Sequence, residues 1–136
     1  MPEIKGNIVF DEISFRFTDR GKLNLSNLNF EIKQGEFVAI VGQSGSGKST
    51  LTKLIARLYD PLTGKICIDN IDISKVELYS LRRQIGIVPQ DSILFDGTVQ
   101  ENISLTNPEA ETDEVINAAK IASANDFIMK LPQGYA

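Results

Sequence analysis

The sequence contains no histidine. That removes Ser–His and Cys–His nucleophile pairs, and every His-ligated metal site, in one step. Its single cysteine, Cys67, has no partner for an intrachain disulfide. It sits in the apolar run Ile66-Cys67-Ile68 and reads as a small buried hydrophobe rather than a nucleophile. No segment approaches the ~18 consecutive apolar residues of a membrane span. The N-terminus lacks the charged start and apolar core of a signal peptide, so the cytoplasm is the default compartment. Basic stripes are missing as well. The net charge is −4 and Arg82–Arg83 is the only adjacent basic pair, which excludes a duplex-binding surface and predicts no nucleic-acid partner. What remains is 136 residues, 42% apolar and 24% charged. That composition fits one soluble globular domain, too short for two separate cores.

The first part of the chain reads as β. Ile8, Phe10, Ile13, Phe15 and Phe17 alternate with polar residues over most of the stretch, and Leu23, Leu25, Leu28, Phe30 and Ile32 alternate imperfectly. With the turn signal Thr18-Asp19-Arg20-Gly21 between them, they predict an antiparallel hairpin. After a second turn at Lys33–Glu36, the run Phe37-Val38-Ala39-Ile40-Val41 fits a strand buried on both faces, as in a parallel sheet. Leu51, Leu54, Ile55 and Leu58 then lie on one helical face, and Asp60-Pro61 ends that helix. Further on the pattern predicts a strand at 64–69, a short helix at 78–83 and a strand at 85–88 stopped by Pro89. Helices are expected at 99–105 and at 112–124, the latter with Thr112 as its cap and Val115, Ile116, Ala119 and Ala122 on its apolar face. Residues 131–136 read as a loop.

Between the buried-type strand and the first helix stands Gly42-Gln43-Ser44-Gly45-Ser46-Gly47-Lys48-Ser49-Thr50, a full match to the phosphate-binding P-loop. Each part has a chemical reason. Gly42, Gly45 and Gly47 let the backbone curl so that successive N–H groups face phosphate oxygens. The helix starting near Lys48 adds its positive N-terminal end. Lys48 reaches the β- and γ-phosphates as a point charge, and Ser49 offers its hydroxyl to Mg²⁺. The strand before and the helix after supply the structural context that the motif requires. The pattern therefore predicts a nucleoside triphosphate site. A GTPase would carry an Asn-Lys-x-Asp base-reading motif, and a small-molecule kinase an arginine-rich acceptor lid; neither is present.

Four segments together resemble the nucleotide-binding domain of ABC transporters, in the exporter type fused to its transmembrane helices. Ile13-Ser14-Phe15-Arg16-Phe17 resembles the adenine-stacking segment ahead of the P-loop, and Val41–Leu51 is the P-loop itself. Asp69-Asn70-Ile71-Asp72-Ile73 with Leu81-Arg82-Arg83-Gln84-Ile85-Gly86 is similar to the link that follows. Val88-Pro89-Gln90-Asp91 with Leu94–Ile103 resembles the glutamine loop. The resemblance implies an α/β fold: a P-loop NTPase (RecA-like) core with an N-terminal antiparallel β subdomain. The expected division is residues 1–35 for the antiparallel part, 36–97 for the P-loop core and 98–136 for the start of a helical subdomain. It implies ATP and Mg²⁺ as ligands. Gly42 to Thr50 would cradle the phosphates, Phe17 would stack the base where the family usually has tyrosine, and Lys48 and Gln90 would act in catalysis. Ser49 and the Gln90 amide oxygen would serve the metal. On pattern alone, Phe17 packs within the hairpin and Gln90 is a surface amide. Asp69 and Asp91 also follow strands, but Asp69 with Asn70 reads as a turn former, and neither is expected to hold metal. Residues 92–98 would face the coupling helices of the transmembrane part or pack in the core.

The family's later motifs are absent: no Leu-Ser-Gly-Gly-Gln signature, no apolar run leading into Asp-Glu, no switch histidine. The resemblance thus implies a domain truncated before its signature and Walker-B segments, able to hold ATP but with negligible turnover. An exposed sheet edge would favour self-association. The expected partners are ATP, the transmembrane domain of the same transporter at the cytoplasmic face of a membrane, and a second nucleotide-binding domain. In the intact protein, ATP hydrolysis would drive export. A non-catalytic nucleotide-binding or assembly module is the alternative reading.

Overall fold

The computed structural model describes residues 1–91 and 93–136, so Ser92, the first residue of the segment 92–98, lies outside the described residues. The chain forms two units, Met1–Val88 and Pro89–Ala136.

In the first unit the predicted hairpin forms from β1 (Ile8–Phe15) and β2 (Leu25–Ile32), which pair antiparallel with Ile8 opposite Ile32 and Phe10 opposite Phe30. Phe10 and Phe30 stack at 4.3 Å between centroids. The imperfect alternation has a physical cause. From Phe10 to Ile13, β1 spends three residues against two of β2; from Ile13 to Phe15, β2 spends three against two. Each excess residue is a β-bulge. Glu12 (φ 53) and Asn27 (φ 46) occupy the left-handed region there. Their N–H groups, lost to the ladder, donate to Asn29 Oδ1 at 2.8 Å and to Ser14 Oγ at 3.0 Å. The first bulge resets the phase, so Phe10, Ile13 and Phe15 all reach the core.

β3 (Thr63–Ile68) pairs antiparallel with the other edge of β1, and β4 (Ile71–Asp72) folds back on β3, giving the order β2-β1-β3-β4. Gly64 (φ 82) lies against the first bulge, where a Cβ would fall on the Asp11 and Glu12 carbonyls. Asp69 (φ 50) and Asn70 (φ 64) make the two-residue β3–β4 turn, as expected of a turn former.

Helix α1 (Lys48–Ile55) buries Thr50, Leu51 and Leu54, and the two leucines join Phe10, Ile13, Phe15, Ile66 and Ile68 in one core. It ends before Asp60-Pro61, and Leu58 is exposed. The reason is a Schellman closure with arginine in the usual glycine place: Arg57 (φ 51) donates its N–H to Leu54 O at 3.0 Å, and Leu58 N–H to Lys53 O at 2.8 Å. Two later carbonyls are met from α2 (Leu78–Arg82), where Arg82 donates Nε to Ala56 O at 3.0 Å and a terminal nitrogen to Arg57 O at 2.8 Å. Glu77 caps α2, accepting from Tyr79 N–H at 2.7 Å and Ser80 N–H at 2.6 Å.

The expected parallel strands are not formed. Neither 37–41 nor 85–88 pairs with any strand among the described residues, and Phe37, Val41 and Val88 are 99%, 89% and 97% exposed. A continuous β-prone run records burial on two faces between parallel neighbours. Here the only sheet among the described residues is the antiparallel one.

In the second unit α3 (Val99–Ile103) starts from a capping box: Thr98 Oγ1 accepts from Glu101 N–H at 3.0 Å, and the Glu101 carboxylate accepts from Thr98 N–H at 2.7 Å. Asn102 binds Phe95 on both sides, accepting from its N–H at 2.8 Å and donating to its carbonyl at 2.9 Å. Ile93, Leu94 and Phe95 are exposed rather than packed in a core. α4 (Thr112–Ile121) is capped one residue before the expected cap, by Glu111, whose N–H donates to the Glu114 carboxylate at 3.2 Å. Ser123 in the left-handed region stops it short of Ala124, and of the expected apolar face Val115 and Ala119 are buried while Ala122 is exposed. A short α5 (Asn125–Ile128), not anticipated, buries Ile128.

Replacing Arg82 with alanine leaves the last carbonyls of α1 without that partner. Arg82→Ala is expected to lower unfolding stability by about 1–2 kcal/mol in urea melts, as for hydrogen bonds from a charged donor. Arg83→Ala, which removes only an exposed contact over Tyr79 at 5.4 Å, should change it by less than about 0.5 kcal/mol.

Candidate functional site

Two glycines let the backbone of the loop 42–49 turn. Gly45 (φ 79) and Gly47 (φ 92) both adopt the left-handed conformation that L side chains rarely take. Gly47 has a second constraint. A Cβ there would stand 2.9 Å from Asn24 O and 2.9 Å from Leu25 Cδ2, so the loop passes directly against the start of β2. Gly47 is also the N-cap of α1, so the helix begins at Lys48 with no acidic residue in its first turn. The first N–H groups of a helix have no intrahelical acceptor and carry its positive end. They sit where the loop turns.

Lys48 closes the loop on itself. Its ammonium donates to Gly42 O at 2.9 Å, to Gln43 O at 2.8 Å and to Ser46 Oγ at 3.5 Å. One cation therefore spans the two sides of the loop without a carboxylate partner. Gln43, Ser44 and Ser46 are exposed, and so is Ser49. Thr50 differs: it is 5% exposed, facing the core, and its N–H already donates to Gly47 O at 3.0 Å.

Phe17 lies in the same unit, two residues past the end of β1 and 46% exposed. It is not part of the hairpin ladder. Its ring meets Phe15 edge-on at 4.9 Å and Tyr59 edge-on at 5.3 Å, and Lys53 Nζ stands 5.6 Å from its centroid. Sequence reasoning missed Tyr59 and Lys53; only the folding of α1 onto β1 brings them to Phe17. Gln90 is exposed and belongs to the second unit, as does Asp91.

Among the described residues no cluster of three Asp, Glu, Cys or His side chains is placed to hold a metal. The donors at the loop are instead a lysine, N–H groups and hydroxyls. This set suits an anion first, and a cation that arrives with phosphate oxygens.

Asp69 proves to be a structural anchor. Its carboxylate accepts from the N–H groups of Asn7 at 2.9 Å, Lys5 at 2.6 Å and Gly6 at 3.2 Å, and its own N–H donates to Asn7 O at 2.8 Å. It thereby ties the N-terminal segment to the β3–β4 turn. The donated bonds, from Asn7 and Lys5 above all, hold its pKa below the usual 3.8.

The sequence model of the ABC transporter family matches residues 25–135. The chain belongs to that family. It is 50% identical over 135 residues to the alpha-hemolysin translocation ATP-binding protein HlyB of Escherichia coli O6:H1, covering 99% of this chain and 19% of that protein. It is equally identical, with the same coverage, to the leukotoxin export ATP-binding protein LtxB of Aggregatibacter actinomycetemcomitans. A putative ABC transporter ATP-binding protein, MG015, of Mycoplasma genitalium is 49% identical, with 23% of its length covered. Among solved structures, a bacterial Atm1-family ABC exporter with ATP bound superposes with a TM-score of 0.91 at 45% identity, over 99% of this chain and 25% of that one. The chain thus corresponds to part of an exporter-type ATP-binding domain and spans about a fifth of the length of the curated relatives it matches.

Asp69 has a testable consequence for acid stability. A depressed folded-state pKa contributes stability that is fully present above the unfolded value and is lost as pH falls through the folded one. The stability advantage of wild type over Asp69→Asn is therefore expected to be constant from about pH 5 to 7 and to shrink below pH 3.8, read from urea midpoints across pH.

Proposed function

We propose that this chain binds Mg-ATP through the loop 42–49 and, within a full-length transporter, takes part in the ATP hydrolysis that drives export. The observation that carries this reading is the loop itself: left-handed Gly45 and Gly47 leading into the N-terminus of α1, with the Lys48 ammonium held across its mouth. The similarity to translocation ATPases and to an ATP-bound exporter supports it.

The roles of the residues follow from their chemistry. Lys48 exchanges its hold on the Gly42 and Gln43 carbonyls for β- and γ-phosphate oxygens, which are better acceptors because they carry charge. The N–H groups from Gly45 to Ser49 surround the phosphates. Ser49 would offer its hydroxyl to the metal, and the Gln90 amide oxygen is a donor of the same hard kind. A bound Mg²⁺ supplies neutralisation of the charge on the β- and γ-phosphates. Thr50 contributes position only, holding α1 to the core. Phe17 gives the base a flat, half-exposed ring to stack on.

The expected partners are the transmembrane domain of the same transporter and a second nucleotide-binding domain. The expected place is the cytoplasmic face of a membrane. Among the described residues no helix is long and apolar enough to cross one. Phosphoryl transfer needs a group to position water, and none of the residues at this loop serves as one. The 136-residue chain by itself is therefore expected to hold ATP with negligible turnover.

Calorimetric titration with Mg-ATP tests the site. Wild type is expected to bind, and Lys48→Ala to bind about 10- to 100-fold more weakly, the loss of a charge-assisted phosphate contact. Equal affinity in the two proteins would refute the phosphate-binding role of Lys48.

A further inference from the structure

We propose that Tyr59 is a positioning residue for the base of the nucleotide: it holds Phe17 in place and makes the stacking platform an extension of α1. This rests on the reading of Phe17 as that platform.

Phe17 by itself is a poor platform. It lies past the end of β1, in a stretch without helix or strand, and nearly half its surface is free. A ring with that freedom loses rotamer entropy when a base immobilises it, and the loss weakens binding. Here the loss is taken in advance. Phe15, buried to 3% exposure in the core, presents its ring to Phe17 at 88° and 4.9 Å. Tyr59 meets Phe17 at 86° and 5.3 Å and also touches Phe15 at 5.6 Å, so the three rings form a closed triangle. Edge-to-face contacts at these separations are attractive because the positive ring edge meets the negative face. Lys53, on the exposed side of α1, adds a cation 5.6 Å from the Phe17 centroid.

Two of these three holds come from α1 and its exit. Lys53 is on the helix, and Tyr59 follows the Schellman closure at Arg57 and Leu58. The Arg57 guanidinium fixes that turn further, pairing with Asp60 at 3.0 Å and donating to Ile73 O and Val76 O at 3.1 and 2.9 Å. One helix therefore presents the phosphate loop at its N-terminus and steadies the base platform from its C-terminal half. The tyrosine hydroxyl has no part in this; the ring does the work.

The test separates base from phosphate. The 136-residue chain and its Tyr59→Leu, Tyr59→Phe and Phe17→Leu variants are titrated with Mg-ATP and with magnesium tripolyphosphate, which has no base. Tyr59→Leu is expected to weaken Mg-ATP about three- to tenfold and leave tripolyphosphate unchanged, while Tyr59→Phe keeps wild-type affinity for both. If Tyr59→Leu leaves Mg-ATP unchanged while Phe17→Leu weakens it, the proposal fails and the stacking role of Phe17 stands. If Tyr59→Leu weakens both ligands equally, its role is general structure and the proposal fails again. If Phe17→Leu does not weaken Mg-ATP, the stacking reading falls, and this inference with it.

Discussion

The fixing of α1 at both ends is the constraint on which the rest of the site depends. An eight-residue helix is not stable alone, because the cost of nucleation is spread over too few hydrogen bonds. Burial of Leu51 and Leu54 against β1 and β3 offsets that, at roughly 1.5–3 kcal/mol for each side chain. Gly47 wedged against Asn24 and Leu25 sets where the helix begins, and the Schellman closure with Arg82 sets where it ends. With both ends set, the positive terminus, the Lys48 ammonium and the ring cluster around Phe17 hold fixed positions along one rod. The antiparallel sheet is the wall against which that rod is fixed.

The local chemistry was legible wherever a residue type has one job. Gly-x-x-x-x-Gly-Lys-Ser specified a loop and a helix start, and the backbone takes both forms. The Asp69-Asn70 pair was readable as a turn because both residues tolerate the left-handed region. What was not legible depended on contacts distant in sequence. The bulges at Glu12 and Asn27 looked like noise in the alternation, because the residues that satisfy them, Asn29 and Ser14, lie on the opposite strand. Asp69 gave no sign of its grip on residues 5–7, more than sixty positions away. Leu58 carried the helical period past the true end of α1, and nothing local showed that Arg57 would turn left-handed there.

The parallel strands were misjudged for a different reason. The runs at 37–41 and 85–88 do carry the composition of two-sided burial. Burial, however, is a property of neighbours, and no strand among the described residues lies beside either run.

This has a consequence for the P-loop. Its exit is anchored by the Gly47 contact and by α1, but its entry, Val41 and Gly42, follows a run that the sheet does not hold. Among the described residues, the bonds from the Lys48 ammonium to Gly42 O and Gln43 O, together with Ser46 N–H to Gln43 O at 3.2 Å, tie the entry to the exit. Lys48 is thus a loop staple in this structure, and the proposed phosphate role would have to displace it from that place. In the proposed binding, phosphate oxygens would draw the ammonium away, and the entry side would keep only the Ser46–Gln43 backbone bond until the loop N–H groups order it through the phosphates. Binding at this loop, as proposed, would then be coupled to ordering of its own entry, and part of the gross phosphate interaction would be consumed by that ordering. Neighbouring strands packed against 37–41 would remove the cost, since they would hold Gly42 in place before the ligand arrives.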